Sequence, residues 1–323
     1  MVLKFSYYRE GKEIECEYST PERLEAKDSA YRMRYLLRMM QKHIYDQWDM
    51  EKKDWIGAHI YDNEICIARV TYEGRIITNK VTDIHCHIVP NFDDGSTSIK
   101  MSMDMIDMLY EQNVRDVFCT SHSWDDNEFK QIYQQNFNEL KDIAKSKYPD
   151  LTLHPGSEIL CDKAEIDYVI ESLKNGTLLP LGETKYVLTE FFFDVRPREI
   201  IYIVHKLILN GWTPIISHIE RYSNVFRDET IECLIDMGAL NQVNAYSFCE
   251  ETDHSRKERA RKLLQKRQIH FIGSDAHQIE YRAPNIGSGI EYIRNNCTLE
   301  YADQVCYLNA NVLLKKENVV NDK

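Results

Sequence analysis

From Val81 onward the chain repeats one unit, a short apolar run followed by an amphipathic stretch with helical spacing. The runs at 81–88, 114–120, 151–158, 186–191, 213–218, 240–244 and 269–274 read as strands. Apolar residues recur at the 3.6-residue period over 99–111, 128–147, 198–210 and 256–267, which predicts helices there. Seven β-then-α steps in about 240 residues require crossover connections, and so a parallel sheet. An open, doubly wound sheet meets that condition as well as a closed barrel does. The placement of polar residues favours the barrel, because nearly every run ends in a histidine or a carboxylate.

The first run ends in Asp83-Ile84-His85-Cys86-His87. Residues i and i+2 of a strand face the same way, so His85 and His87 enter one pocket, while Cys86 faces the opposite side as an ordinary core residue. An acidic turn follows at Asn91-Phe92-Asp93-Asp94-Gly95-Ser96. Later runs end in Thr120-Ser121-His122, Gly156-Ser157-Glu158, Leu188-Thr189-Glu190, Ser217-His218-Ile219-Glu220-Arg221 and Gly273-Ser274-Asp275-Ala276-His277. Taken singly, each is as readily a satisfied core histidine or a capping aspartate. Taken together, six strand ends of ligand type converge on the carboxyl-terminal face of a parallel barrel, where such folds place their chemistry. Imidazole and carboxylate donors without thiolate suit manganese, iron or zinc.

Residues 1–80 have a different texture. They hold 14 Lys/Arg and 14 Asp/Glu, whereas 81–323 holds 26 against 38 and carries the whole net charge of −12. Eight of the 20 tyrosines and two of the four tryptophans lie in these 80 residues. The boundary is expected near Asn79-Lys80, with a small α+β extension of ββαββ type before it. Val2–Arg9 and 13–18 read as a hairpin around Gly11-Lys12. Thr20-Pro21-Glu22 reads as an N-cap with proline at the first helical position, opening a helix to about Lys53 through Leu24, Tyr31, Tyr35, Leu36, Met39, Ile44 and Trp48. Gly57, Asn63 and Glu73-Gly74 punctuate the strands after it. Tyr7, Tyr8, Tyr31 and Tyr35 are expected to pack, and the basic stretch 32–42 to be the solvated face of the helix.

Composition excludes several classes. An acidic chain of pI about 5.4 repels nucleic acid and anionic lipid. The opening residues contain no run of signal-peptide length, and no 18 consecutive apolar residues occur anywhere. The nine cysteines are odd in number, widely spaced and without C-x-x-C, which reads as reduced thiols in a cytoplasm. None has arginine six residues later, so the C-x5-R thiol motif is excluded.

The phrases DIHCHIVPNFDDGS, TSH, GSEI, TEF, SHIERY and GSDAH, in this order over about 81–310, resemble the polymerase-and-histidinol-phosphatase (PHP) superfamily of metal-dependent phosphoesterases. Within it they are similar to the bacterial capsule-regulating tyrosine phosphatases of the CpsB/YwqE type. The resemblance implies a distorted (β/α)7 TIM-like barrel of the PHP fold over 81–323, preceded by the extension 1–80, to which it assigns no role. It implies three divalent ions, usually manganese, held by His85, His87, Asp94, His122, Glu158, Glu190, His218, Asp275 and His277. Asp94 is counted with Arg221 and Arg282 as catalytic, the two arginines gripping the phosphate by forked hydrogen bonds. Their bland alternative is a surface ion pair with Glu220 or Glu280. The implied substrate is phosphotyrosine, on the exposed tail of a bacterial tyrosine kinase that controls capsule or exopolysaccharide synthesis. A histidinol-phosphate type of small-molecule phosphatase, a phosphodiesterase and a non-catalytic regulatory protein on the same scaffold remain open, as does a homo-oligomeric state. The Phe191-Phe192-Phe193 run is expected to be mostly core, with one ring able to border the substrate. His154 and Pro155 are expected to shape a turn.

Overall fold

The structure is a computed structural model that describes residues 1–46, 55–62, 65–70, 76–78, 80–123 and 127–314. The chain forms two compact units, Met1–Lys80 and Val81–Lys323. Trp48, Lys53, Asn63, Glu73, Gly74 and Asn79, which figure in the expected helix end, turns and boundary, lie outside the described residues.

In the first unit, strands β1 (Val2–Arg9) and β2 (Lys12–Ser19) pair antiparallel. The turn is Glu10-Gly11, one residue earlier than predicted, and both residues have positive φ, 52° and 75°. That is the turn geometry that matches the twist of paired strands. Helix α1 (Ser29–Asp46) is followed by β3 (Trp55–Asp62), β4 (Ile65–Val70) and β5 (Ile76–Thr78), one strand more than the ββαββ expectation. All pairs are antiparallel, in the order β2-β1-β3-β4-β5. Gly57 lies inside β3, beside the point where its register with β1 shifts.

The expected helix start at Pro21 is displaced. Pro21 is extended, with ψ 146°, and only a single 3-10 turn, Glu22–Leu24, follows it. The Thr20 hydroxyl donates to the Met1 carbonyl at 3.2 Å and so does not cap the helix. Asp28 supplies the cap instead, its Oδ1 accepting from the Tyr31 N–H at 2.8 Å. Alternation along β1 turns Leu3, Phe5 and Tyr7 onto Leu36 and Met40 of α1, while Tyr8 and Tyr31 stay exposed.

In the second unit, β6 (Val81–Cys86), β7 (Val114–Cys119) and β8 (Thr152–Pro155) form one parallel sheet. Strands β9 (Glu158–Leu160), β10 (Tyr186–Glu190), β11 (Thr213–Ile216), β12 (Leu240–Asn244) and β13 (Phe271–Gly273) form another, also parallel. Helices α2 (Ile99–Glu111), α3 (Asn127–Lys147), α4 (Ile166–Asn175), α5 (Pro197–Leu209), α6 (Asp228–Asp236) and α7 (His254–Gln265) connect them. The arrangement is the expected α/β one.

The predicted strand 151–158 is broken in two. β8 pairs with β7 and β9 pairs with β10. Between them the Gly156 N–H leaves the ladder and donates to the Tyr133 hydroxyl at 3.1 Å. Single parallel bridges, Cys86 with Ala276 and His122 with Glu158, join the two sheets at both seams. At the first seam His87 N–H donates to Ala276 O at 2.8 Å and Asp275 N–H to His85 O at 2.7 Å. Both seams therefore run through the strand ends that carry the candidate ligands.

Apolar residues fill the barrel below those ends. Ile84, Phe118, Leu188, Ile215 and Phe271 form one cluster, to which Ala310 and Leu313 are added from beyond the short helix Leu299–Asp303. The face of β10 and β12 that sends Leu188 and Leu240 into this core sends Glu190, Gln242 and Asn244 to the other end.

Candidate metal centre

His85 and His87 project together from the end of β6, their Nε2 atoms 3.2 Å apart. His85 Nδ1 lies 3.1 Å from Gln242 Oε1, an atom that only accepts, so Nδ1 carries the proton. His87 Nδ1 lies 2.8 Å from Asp93 Oδ2 and donates in the same way. Both rings thus turn the Nε2 lone pair toward one point. Glu158 Oε2 is 3.3 and 3.2 Å from these two nitrogens, and Asp275 Oδ1 is 3.4 and 3.6 Å from them. Two lone pairs and two carboxylate oxygens meeting in a buried volume make a site for positive charge. Burial opposes protonation of His87, yet Asp93 and Glu158 hold its pKa well above the usual imidazole range, so a proton and a cation compete for its Nε2.

Glu158 is the hub. Its Oε2 is also 3.4 Å from His122 Nδ1, and its Oε1 is 3.0 Å from His218 Nε2. One carboxylate therefore touches four of the five candidate histidines. Burial would raise its pKa, but His85, His218 and His87 hold it well below the ordinary value. Glu190 flanks it, 3.6 Å from His122 Nδ1 and 3.5 Å from His218 Nε2.

Asp94 and His277 complete the other side. His277 stacks on His87 with centroids 3.9 Å apart, and its Nδ1 donates to the Asp275 carbonyl at 3.0 Å. Its Nε2 is buried with no hydrogen-bond partner and lies 3.3 Å from Asp94 Oδ1. Burial and the neighbouring His87 push the His277 pKa down to about 3, which keeps that lone pair free. Asp94 is the exposed member, with 64% of its side chain in solvent.

Three groups bring possible ligand atoms within 4.8 Å of one another: His87, Asp94, His122 and His277; His85, His87 and Asp275; His122, Glu158 and Glu190. Eight of the nine residues singled out from the sequence fall in them, and His218 stands beside the third group. The donors are all nitrogen and oxygen, which fits manganese, iron or zinc. Among the described residues no thiol joins these groups: Cys86 is buried, and burial pushes its thiol well above the usual range.

The two arginines are not in surface pairs. Arg282 Nη2 donates to Asp275 Oδ1 at 2.6 Å, and Arg221 Nη1 lies 3.6 Å from Asp275 Oδ2. Glu220, a possible partner of Arg221, is buried and accepts from Ser247 Oγ at 2.6 Å and Asn244 N at 3.1 Å. His218, Asp275 and Arg282 all have left-handed backbones, with φ 32°, 52° and 54°. Such conformations persist only where the surroundings impose them, and they cluster at functional sites.

The supporting roles of four residues, Asp93, Gly95, Gln242 and Asn244, were not foreseen from the sequence. Asp93 accepts from His87 Nδ1, from the Gly95 N–H at 3.0 Å and from the His122 N–H at 3.0 Å, tying the acidic turn to two histidines. Gly95 allows this fold-back, since a Cβ there would lie 2.2 Å from the His87 carbonyl. Gln242 Oε1 accepts from His85 Nδ1 and, at 2.8 Å, from the His218 N–H. Its Nε2 donates to Asn244 Oδ1 at 2.9 Å, and Asn244 Nδ2 donates to Asp275 Oδ2 at 2.6 Å. The available signal was Gln-x-Asn at the end of β12, the one run without a histidine or carboxylate. Two further expectations need correcting. Only Phe191 of the Phe191–193 run is core, and His154 lies within β8, bound to Asp116 at 2.8 Å and stacked on Phe118.

A family model described as capsular polysaccharide synthesis, CpsB/CapC, matches residues 81–315. The tyrosine-protein phosphatase CpsB of Streptococcus pneumoniae is 33% identical over 221 residues, covering 65% of this chain and 88% of that protein. CpsB of Streptococcus agalactiae serotype III is 29% identical over 245 residues, 73% of this chain and 99% of its own. Among solved structures, one from work on YwqE of Bacillus subtilis and CpsB of Streptococcus pneumoniae, described as unique metal-dependent tyrosine phosphatases, superposes with a TM-score of 0.66 at 27% identity. It covers 74% of this chain and 96% of its own.

Proposed function

Because the chain belongs to the CpsB/CapC family, we propose that it is a metal-dependent phosphomonoesterase that hydrolyses phosphotyrosine. The observation that carries this reading is the convergence of four imidazoles on the Glu158 carboxylate, with Asp94, Glu190 and Asp275 around them. His85, His87, Asp94, His122, Glu158, Glu190, His218, Asp275 and His277 would hold three divalent ions, with manganese the expected metal. When bound, such ions supply Lewis-acid charge to the phosphoryl oxygens and lower the pKa of water.

The protein's own groups do the positioning. Gln242 and Asp93 fix the tautomers of His85 and His87. Arg221 and Arg282 both lie on Asp275, so an arriving phosphoryl group meets two guanidinium groups already directed into the centre. Asp94 is the most exposed carboxylate of the set and meets substrate first. The phenolic leaving group, of pKa about 10, needs less help from an acid than an alkoxide would. Phosphoryl transfer of this kind depends on placement and charge more than on a protein nucleophile.

The substrate we favour is the Tyr-rich, disordered tail of a bacterial tyrosine kinase in capsule or exopolysaccharide synthesis. The relatives are named tyrosine-protein phosphatases, and the family is described by capsule synthesis. No helix among the described residues is long and apolar enough to cross a membrane. The test is phosphate release from a phosphotyrosine peptide, a phosphoserine peptide and histidinol phosphate, with Mn²⁺ and after chelation. We expect metal-dependent release from the phosphotyrosine peptide, reduced at least ~10²-fold in His85→Ala. Preference for histidinol phosphate, or release that survives both chelation and His85→Ala, would overturn the reading.

A further inference from the structure

A centre of imidazoles, carboxylates and two arginines grips any phosphate monoester alike, so preference for an aromatic ester must come from what touches its organic group. After β10 the chain runs through three phenylalanines. Phe191 is 1% exposed, and its N–H donates to the Tyr222 hydroxyl at 3.0 Å. Phe192 and Phe193 are 52% and 55% exposed, an unfavourable place for two large rings unless something covers them.

Phe193 is held in place despite its exposure. The Arg221 guanidinium lies over its ring at 4.6 Å, and the Tyr222 ring is 6.4 Å away, tilted by 33°. Nη1 of the same guanidinium lies 3.6 Å from Asp275 Oδ2. Two contacts in series, Phe193 to Arg221 and Arg221 to Asp275, thus connect a solvent-facing ring to the candidate centre. A phosphate bound by Arg221 would have this ring within reach of its ester group.

We propose that Phe193 is a specificity-determining residue whose ring stacks on the phenol ring of the substrate. This rests on the phosphatase reading for the chemistry, and on the Phe193–Arg221–Asp275 series for the place. The stacked ring selects aryl over alkyl phosphates, while Arg221 serves both.

The test uses protein loaded with Mn²⁺ and the non-hydrolysable probes benzylphosphonate and propylphosphonate, titrated calorimetrically. Wild type is expected to prefer the benzyl probe, and Phe193→Ala to reduce that preference roughly three- to ten-fold, the worth of one aromatic pair. Phe193→Trp should retain the preference, and Phe193→Leu should not. Equal weakening of both probes in Phe193→Ala would mean that the ring only props Arg221, and would overturn the proposal. So would a preference that survives in Phe193→Ala, or no preference in wild type. Phosphate release from the phosphotyrosine and phosphoserine peptides is followed in parallel. Silence there, with the benzyl preference intact and lost in Phe193→Ala, would sink the phosphatase reading and leave the aryl-binding role of Phe193 standing.

Discussion

Among the described residues of the N-terminal unit, the buried set is apolar apart from Arg69: Leu3, Phe5, Leu36 and Ile60 meet between one sheet face and one helix. The barrel unit has such a core too, around Ile84, Phe118, Leu188 and Ile215, but above it are buried Glu158, Asp275 and the rings of His85, His87, His218 and His277. Positive backbone φ follows the same division. In the first unit it falls at the Glu10-Gly11 hairpin turn, whereas in the second it falls both at turns such as Asn113 and Gly176 and on His218, Asp275 and Arg282 of the candidate centre. Buried charges cost several kcal/mol each unless partners offset them. The described core of the small unit is therefore held mainly by apolar burial, while the larger unit carries a polar cluster whose like charges call for cations.

Removal of divalent cations should give the largest difference between the two. An ion present at a thousand times its Kd adds about 4 kcal/mol of stability. Hydrogen exchange on the full chain with chelator should therefore show β9–β13 losing protection while β1–β4 keep it. Loosening of both units alike, or of neither, would break the contrast. Phe5→Ala probes it from the other side. Phe5 packs against Tyr18, Tyr7 and His43 with centroids 6.0, 6.4 and 5.4 Å away. Its loss should cost roughly 3–5 kcal/mol and expose β1–β4 to exchange, with bound metal unchanged. A fall in metal content would show that the units are not independent.

The alternation that defines the barrel unit is legible because buried parallel strands are nearly continuous apolar runs, and helices keep their period. The stretches 99–111, 128–147, 198–210 and 256–267 fall within two residues of α2, α3, α5 and α7. The convergence of the histidines and carboxylates is legible for a related reason, since all but Asp94 of the nine end an apolar run, and Asp94 lies in the acidic turn after the first. What escapes is set by contacts distant in sequence. Asp93 and Asp94 are indistinguishable by type, and only the fold turns one inward onto His87 and the other outward. Thr20 and Asp28 are both plausible caps, and the choice depends on the Met1 carbonyl taking the Thr20 hydroxyl. The break after Pro155 depends on Tyr133, a residue of α3.

Gln242→Ala tests whether the buried amides of β12 exist for the cations. Without Oε1, His85 loses the acceptor that fixes its tautomer, and the His218 N–H loses its partner. Outer partners of this kind are worth about 10- to 100-fold in metal affinity, or roughly 1.4–2.8 kcal/mol. Competition with a chelating dye reads the change directly. Unchanged affinity would mean that the backbone bridges at the seams hold the histidines without help from Gln242.

The smallest expected effect concerns acid. His270, half-buried just before β13, accepts the Asn241 N–H on Nδ1 at 3.0 Å, so protonating the ring would set one N–H against another. Burial pushes its pKa down to about 4, against roughly 6.5 in an unfolded chain. Between these values the unfolded chain binds a proton that the folded chain refuses. Stability is therefore fully present above about pH 6.5 and falls as the pH drops toward 4, by about 2 kcal/mol once partial exposure is allowed for. Carboxylates with lowered pKa, such as Glu158 and Asp275, lose their contribution only below about pH 4. His277, held to about 3, adds a slope of the same sign as His270. The difference between wild type and His270→Asn, in urea melts at pH 7.5 and 5.0, therefore isolates His270. The variant should show the shallower slope. Equal slopes would assign the acid sensitivity of the barrel unit to His277, the imidazole of the candidate centre whose pKa is lowered, and the contrast between the units would then rest on that cluster alone.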